Sequence, residues 1–472
     1  MLSTENKDNN VTWHCVNIPI FGRMFKYIHI GGLAVLFFFF STVQGFGQAS
    51  KCGFAHVVTA LSEQSTEVED AISSVREEKP RAAAKVSASV NVTVPVVFHI
   101  VLTQTQLNSI GGIPGVERRL DSQMKVINMD FAAQNPDISS VPDGFKPYIG
   151  ASGIQFGLAH TAPDGSATLG YEVIITSKTG FDSDGSYGSG FGFSGAKYSA
   201  NAGADAWDPE SYLNIWIVNP MDNGRQTDIV GLAVPPYLTG SSVPREEEGV
   251  TLHYAAFGKR VALNDIYVKG SDQGRTLTHE LGHYFGLFHI WGDDDGYCPN
   301  NGGKDDGISD TPPQGYPSSG CPTYPKYDNC SPTGNGIMFM NYMDYVFDQC
   351  ALLFTQEQVA RMDGKTVFGE YAFSLSQHPW LLSYPDPTTT PVNSYVMYPN
   401  PVDHLLNITF RFVPTDLRTI RIHDLSGRMV AAIEDATGTA YHSFNTGNLH
   451  AGMYFVVLEF SDRQEVKKLI VR

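Results

Sequence analysis

The stretch that most constrains this chain is His279-Glu280-Leu281-Gly282-His283-Tyr284-Phe285-Gly286-Leu287-Phe288-His289. On a helix, His279 and His283 lie one turn apart along the axis and roughly 40° apart around it, so both imidazoles can point at one metal ion. Glu280 stands beside them to work on water at that ion. Gly286 can take the left-handed backbone that ends a helix, and a sharp turn there swings His289 back as a third ligand. Three protein nitrogens leave a fourth position of a zinc ion open, the layout of a catalytic site. The bland alternative is that histidines merely gathered on a partly buried helix. It leaves the glycine and the third histidine at their fixed offsets unexplained, with three of the chain's 14 histidines in one window.

A chain of 472 residues, 42% hydrophobic and 17% charged, is globular and long enough for more than one domain. Its net charge of -17 leaves no basic surplus to neutralise phosphate, which argues against nucleic acid as a partner. Acidity otherwise means solubility, and it is compatible with calcium. Of the 6 cysteines, Cys298, Cys321, Cys330 and Cys350 cluster after the metal motif, whereas Cys15 and Cys52 precede it. In an exported protein that cluster reads as two disulfides near the site; in a cytosolic one it reads as a second metal site, although no C-x-x-C spacing occurs.

Residues 1–49 form a signal region. From Met24, the candidate true start, a positive start (Lys26) leads into the apolar run Ile28 to Phe40 and then the small residues of Ser41 to Ala49. The run is short for a membrane span and lacks a stop-transfer flank, so no stable transmembrane span is expected; the competing reading is an uncleaved anchor. Residues 50–85 are charged, helical in character and rich in basic residues near their end, as a propeptide is. Bonds before Arg76, Arg81 or Lys85 suit self-processing. Cys52 becomes the odd cysteine once Cys15 is lost with the signal. As a thiolate it can fill the open zinc position and keep a precursor silent. Two alternatives stand beside this: an incidental thiol, and latency imposed by a propeptide carboxylate.

Residues 86–383 carry the metal motif. Val92 to Leu102 reads as a buried first strand, and Ile154–Leu158, Tyr171–Ile175 and Leu213–Val218 read as further strands. Gly115 to Ala133 has helical periodicity, the run 179–199 is a Gly/Ser loop, and Thr355 to Met362 is helical. This predicts an α/β lobe whose sheet backs the metal helix, in a chain that is α+β as a whole. The segment Trp291 to Asn335 is loop-rich, with Asp293, Asp294, Asp295, Asp305, Asp306 and Asp310 either solvated or holding calcium. Residues 384–394 are a Pro/Thr-rich linker. Residues 395–472 predict a small all-β sandwich with strands Leu406–Phe412, Thr419–His423, Met453–Phe460 and Val466–Val471.

The long histidine motif, followed by Asn341-Tyr342-Met343-Asp344-Tyr345, resembles the metzincin zinc metallopeptidases, and more narrowly the pappalysin family with its compact microbial members. Val94 to Val101, Gly274-Arg275-Thr276-Leu277-Thr278 and Asp310-Thr311-Pro312-Pro313 support the narrower match, which spans about 90–383. The resemblance implies an upper α/β lobe and an irregular lower lobe about a cleft. It implies zinc on His279, His283 and His289, Glu280 as general base, Met343 as the floor beneath the metal, and Tyr345 hydrogen-bonding the reacting carbonyl. It also implies that Asp348 lines the pocket for the residue just after the scissile bond and favours Arg or Lys there. Disulfides Cys298–Cys330 and Cys321–Cys350 are implied too, with structural calcium near Asp305, Asp306, Asp310 and Thr311. The tail, with Tyr398-Pro399-Asn400-Pro401 and the basic end Lys467 to Arg472, resembles the C-terminal sorting domain read by the type IX secretion machinery. The expectation is therefore a latent precursor of a zinc endopeptidase acting on proteins or peptides. It would be exported through the periplasm and end up secreted or on the cell surface. The alternative is a secreted binding or adhesive protein that keeps a non-catalytic metalloprotease fold; the presence of Glu280 and all three histidines weighs against it.

Overall fold

The computed structural model describes residues 52–78, 91–240, 243–294, 296–384, 395–410, 414–439 and 441–472. The signal region 1–49, the expected cleavage residues Arg81 and Lys85, and residues 385–394 of the linker lie outside them.

Strand β1 (Val92–Leu102) is apolar on both faces, and such a run is stable only where both faces are covered. It pairs in parallel with β2 (Ile154–Leu158) and β3 (Tyr171–Ile175) along one edge and with β4 (Leu213–Val218) along the other. Beyond β4 come β6 (Gly249–His253), parallel to it, and β5 (Gly231–Val234), which closes that edge antiparallel with Gly231 opposite Leu252. The two-residue strand period divides the side chains of β1 between the two faces. Val94, Val96, Phe98, Ile100 and Leu102 enter the main core, while Val97 and Val101 enter smaller clusters on the other face. His99, also buried, is held between Glu172 Oε1 at 2.6 Å and Asn214 Oδ1 at 2.9 Å and stacks on Trp216, so its polar atoms are satisfied inside the sheet.

The expected propeptide is an ordered helical hairpin. Helices α1 (Phe54–Ser62) and α2 (Thr66–Glu77) meet at Ser65, whose hydroxyl accepts from the Val68 N–H as an N-cap. Phe54, Val57, Leu61, Val68, Ile72 and Val75 are buried in the same core as the sheet. Arg76 sits in the last turn of α2, donating to the carbonyls of Asp305 (2.6 Å) and Gly292 (3.4 Å) while lying over the Phe288 ring. Arg361 Nη2 donates to the Glu78 carbonyl at 2.9 Å, and Lys365 pairs with the Glu78 carboxylate. This corrects one expectation: the bond before Arg76 is helical and packed, not an extended segment open to a protease.

After a short α3 (Gln104–Ser109), helix α4 (Gly112–Phe131) packs on β2 and on the metal-motif helix α5 (Arg275–Tyr284). Helix α4 starts earlier than the expected Gly115 because Pro114 falls in the first turn, where the missing N–H costs nothing. Phe131, at its end, meets Phe156, Phe285 and Phe354 edge-on, tying α4 to the sheet, the motif and the lower lobe. Helix α6 (Gln356–Gly364) is set by a capping box in which Thr355 and Gln358 exchange side-chain-to-backbone bonds.

The C-terminal region is a two-sheet β-sandwich. β7 (Tyr395–Tyr398), β8 (Leu405–Phe410) and β11 (Tyr441–Asn445) form one sheet in the order β7-β8-β11. β9 (Leu417–Asp424), β10 (Met429–Ile433), β12 (Gly452–Phe460) and β13 (Gln464–Val471) form the other, in the order β10-β9-β12-β13. Strands β7, β10 and β11 were not expected. β10 is a short apolar run without alternation and only partly buried, and β11 alternates with His442 among its inward residues, so neither shows an apolar-in, polar-out pattern in sequence. Among the described residues no helix is long and apolar enough to cross a membrane.

Phe131→Ala removes the ring shared by α4, β2, the motif and the segment before α6. It is expected to cost about 3–5 kcal/mol, read as a lower denaturant midpoint in equilibrium unfolding.

Candidate metal centre

Every residue of α5 is buried. Its start is anchored by Asp348, whose Oδ2 accepts from the Gln273 N–H (2.9 Å) and the Arg275 N–H (3.2 Å), a carboxylate placed where the helix dipole favours one. The Arg275 guanidinium is held by Asp137 (2.6 and 2.8 Å) and by the Asp348 carbonyl at 2.9 Å. Thr278 donates to Asp130, whose carboxyl burial pushes up to about 6. At the other end, Gly286 takes a left-handed φ of 90°, and the chain reverses there as the motif predicts.

That reversal brings the three histidines together. The Nε2 atoms of His279, His283 and His289 lie 3.0, 3.1 and 3.2 Å from one another. Tetrahedral zinc with Zn–N of about 2.0–2.1 Å would set such nitrogens roughly 3.3 Å apart. Each Nδ1 faces an acceptor: Tyr342 O at 2.6 Å, Leu287 O at 2.8 Å and Asp293 Oδ1 at 2.6 Å respectively. These partners place the ring protons on Nδ1 and leave three Nε2 lone pairs directed at one another, an arrangement that a cation relieves. Burial and the two neighbouring imidazoles push the His283 pKa well down, so its ring is neutral and available as a ligand. The donor set and its spacing fit zinc.

The fourth member of the cluster is Cys52, from the segment just before α1. Cys52, His279, His283 and His289 offer ligand atoms within 4.8 Å of one another, all buried. The Cys52 thiol lies 3.5 Å from Glu280 Oε2 and accepts from the Phe54 N–H at 3.3 Å; burial, then the Glu280 charge, raise its pKa well above the usual thiol range. Cys52 also bridges Gly231 of the edge strand β5 in the parallel sense, with the Gly53 N–H donating to Gly231 O at 3.0 Å. Phe54 stacks on the His283 ring at 4.0 Å and 19°. Burial pushes Glu280 up to about 8, opposed by hydrogen bonds from the Cys52 thiol and the Ala233 N–H.

Met343 lies directly beneath α5. A Cβ on Gly282 would come within 2.4 Å of its sulfur, so the glycine inside the motif is required by the methionine under it. The turn that carries Met343 is pinned by Asn341, which receives and gives side-chain bonds with Gln358 of α6 at 2.7 and 3.1 Å. The Tyr345 hydroxyl donates to the Cys52 carbonyl at 3.2 Å, and its ring lies against His289 and Trp291. A cavity of about 30 Å³ beside the centre is lined by Cys52, Glu280, Arg275, Tyr345, Asp344 and Asp348, among others.

The other expected residues fall as follows. Cys298 is bonded to Cys330 and Cys321 to Cys350. Asp306 accepts from the Thr311 hydroxyl and the Ile308 N–H, Asp305 Oδ1 accepts from the Asp306 N–H, and Asp310 Oδ2 accepts from the Glu357 N–H. Among the described residues, these carboxylates do not converge as the histidines do. Sequence reasoning passed over Asp293 as one acidic residue among many. Its signal was its place four residues after His289, within reach of that ring. Trp291, stacked on His289 at 4.3 Å and 9°, was missed outright.

A family model described as pregnancy-associated plasma protein-A peptidase matches residues 196–366, and one described as a secretion system C-terminal sorting domain matches residues 396–472. A promirolysin mutant from Tannerella forsythia is similar, with 31% identity over 72% of this chain and 100% of that chain at a TM-score of 0.59. Mature mirolysin from the same organism, in complex with a cleaved peptide, is 34% identical over 63% of this chain and 100% of that one, at a TM-score of 0.54. An extracellular metalloprotease of Arthroderma gypseum is 33% identical over 150 residues, a stretch that spans only 46% of that protein's length.

Asp293→Ala leaves the His289 ring without its partner and is expected to weaken metal retention by about 10–100-fold. The measurement is competition with a chromogenic chelator; unchanged retention would count against the role given to Asp293. The histidine triangle with its acceptors, the glutamate, the methionine beneath and these matches together make the chain a member of the pregnancy-associated plasma protein-A family of metallopeptidases, with a secretion-sorting domain at its C-terminal end.

Proposed function

We propose that the chain is the latent precursor of a zinc endopeptidase that hydrolyses protein or peptide substrates, with His279, His283 and His289 as the zinc ligands and Cys52 as the fourth ligand of the silent state. The observation that carries this reading is the meeting of three Nε2 atoms with the Cys52 thiol beside Glu280. Zinc, when bound, acidifies a water and polarises the peptide carbonyl. Glu280 takes the proton from that water and returns it to the leaving amine. The Tyr345 hydroxyl, now donating to the Cys52 carbonyl, is aimed to donate to a substrate carbonyl oxygen in the same spot as charge gathers on it. Met343 supports the helix from below.

Asp348 is the proposed determinant for Arg or Lys after the scissile bond. It is buried, it lines the cavity beside Glu280, and the Arg275 charge in that cavity is already balanced by Asp137. The acidic loop is the proposed calcium site, with Asp305, Asp306, Asp310 and Thr311 as candidates. Burial and the adjacent Asp305 raise the Asp306 carboxyl well above its usual range, a cost that a divalent cation would relieve. Residues 50–85 are the proposed propeptide, 86–383 the catalytic domain and 395–472 the sandwich through which type IX machinery exports the chain from the periplasm to the medium or the cell surface.

In protein freed of its propeptide, Glu280→Ala is expected to lower peptide hydrolysis by about 10²–10⁴-fold, and a zinc chelator to abolish it. Asp348→Asn keeps the acceptor that anchors α5 while removing the charge, and is expected to erase the preference for Arg or Lys; an unchanged cleavage profile rejects that pocket. Cys52→Ala in the uncut precursor is expected to raise basal activity. Calcium chelation is expected to lower the melting temperature with zinc content unchanged.

A further inference from the structure

The path of Cys52-Gly53-Phe54 across the metal centre carries information about substrate as well as latency. Cys52 borders the cavity that holds Asp348; Phe54 does not. Phe54 lies outside it, wholly buried, its ring stacked on the His283 imidazole at 4.0 Å and 19° and 6.1 Å from the Phe288 ring. From amino to carboxyl end, the segment therefore runs from the Asp348 side towards His283 and Phe288, parallel to β5 at Gly231.

A substrate whose residue after the scissile bond enters the Asp348 cavity must run the other way, with its amino-side residues over His283 and Phe288. The propeptide and the substrate thus share one floor in opposite directions. We infer that the seat of Phe54 is a substrate subsite selective for an aromatic side chain one or two residues before the scissile bond. This inference rests on the peptidase reading above and adds a second specificity to it.

The chemistry of the floor argues for the ring. An imidazole face lies beneath and a phenyl stands at a tilt of 53° beside it, so an aromatic side chain gains burial, stacking on His283 and a tilted contact with Phe288. A charged side chain would lose its water against that face without gaining a partner. The Arg76 guanidinium that lies over Phe288 at 4.2 Å belongs to the propeptide and departs with it. Phe288, 1% exposed in the precursor, then loses both Phe54 and Arg76 as neighbours. An apolar surface uncovered next to a reaction centre is suited to substrate.

The test uses the full-length chain after removal of its propeptide and a set of fluorogenic peptides. All carry Arg after the scissile bond, with Phe, Leu, Ala or Asp at each of the two positions before it. The expected result is a kcat/KM at least tenfold higher for Phe than for Ala or Asp at one of those positions, and a ratio falling towards one in Phe288→Ala. Equal kcat/KM across the series, with cleavage before Arg intact, overturns the subsite and leaves the peptidase standing. Absence of any cleavage by zinc-loaded protein overturns both. The comparison on the unmutated enzyme needs no variant, so misfolding of Phe288→Ala does not shelter the inference.

Discussion

Three imidazole nitrogens directed at one another within 3.2 Å are, by themselves, an unfavourable arrangement, and the surrounding protein is built to enforce it. The enforcement comes from three directions. The Tyr342 carbonyl belongs to the turn pinned through Asn341 and Gln358 to α6. The Leu287 carbonyl belongs to the reversal at Gly286, and Asp293 belongs to the acidic loop. Each acceptor fixes one ring, and each is fixed in turn by a different element. Moving any of these elements misaims a ligand, so the lower lobe is as much part of the metal centre as the helix that carries the histidines.

The same logic explains the concentration of charge around α5. Asp348 anchors the helix start through two backbone N–H groups and also faces the cavity. Arg275 is neutralised by Asp137 and lies close to Asp130, so the guanidinium serves as a strut between α4 and the Met343 turn. A buried charge of this kind is tolerated because it is paired and hydrogen-bonded on several sides.

Much of this was legible in sequence where the information is local. The four-residue spacing of His279 and His283, the break at Gly286 and the apolar run of β1 each dictate structure within a few residues, and the helix, the reversal and the buried strand follow. The seat of Cys52 against Glu280 spans 228 residues, and only the motif's open ligand position hinted at it. The docking of Arg76 on the carbonyls of Gly292 and Asp305 had no sequence signal, because backbone carbonyls are the same in every residue. Gly282 carries no local signal of its own, because its constraint is the Met343 sulfur, 2.4 Å from where its Cβ would be. In the sandwich, β10 escaped because its short apolar run has no alternation, and β11 because it turns a histidine inward.

The helical hairpin is held by six buried apolar side chains, by Arg76, and by the bonds of Arg361 and Lys365 to Glu78, all contacts that residues 54–78 make themselves. If the hairpin is the propeptide proposed above, cutting the backbone there would not by itself empty the cleft. It would turn a tethered inhibitor, whose effective concentration is in the millimolar range, into a free one that leaves only as it is diluted or digested. Activation would then be a two-stage clock. Proteolysis would arm the complex, and the volume into which it is released would decide how soon it runs.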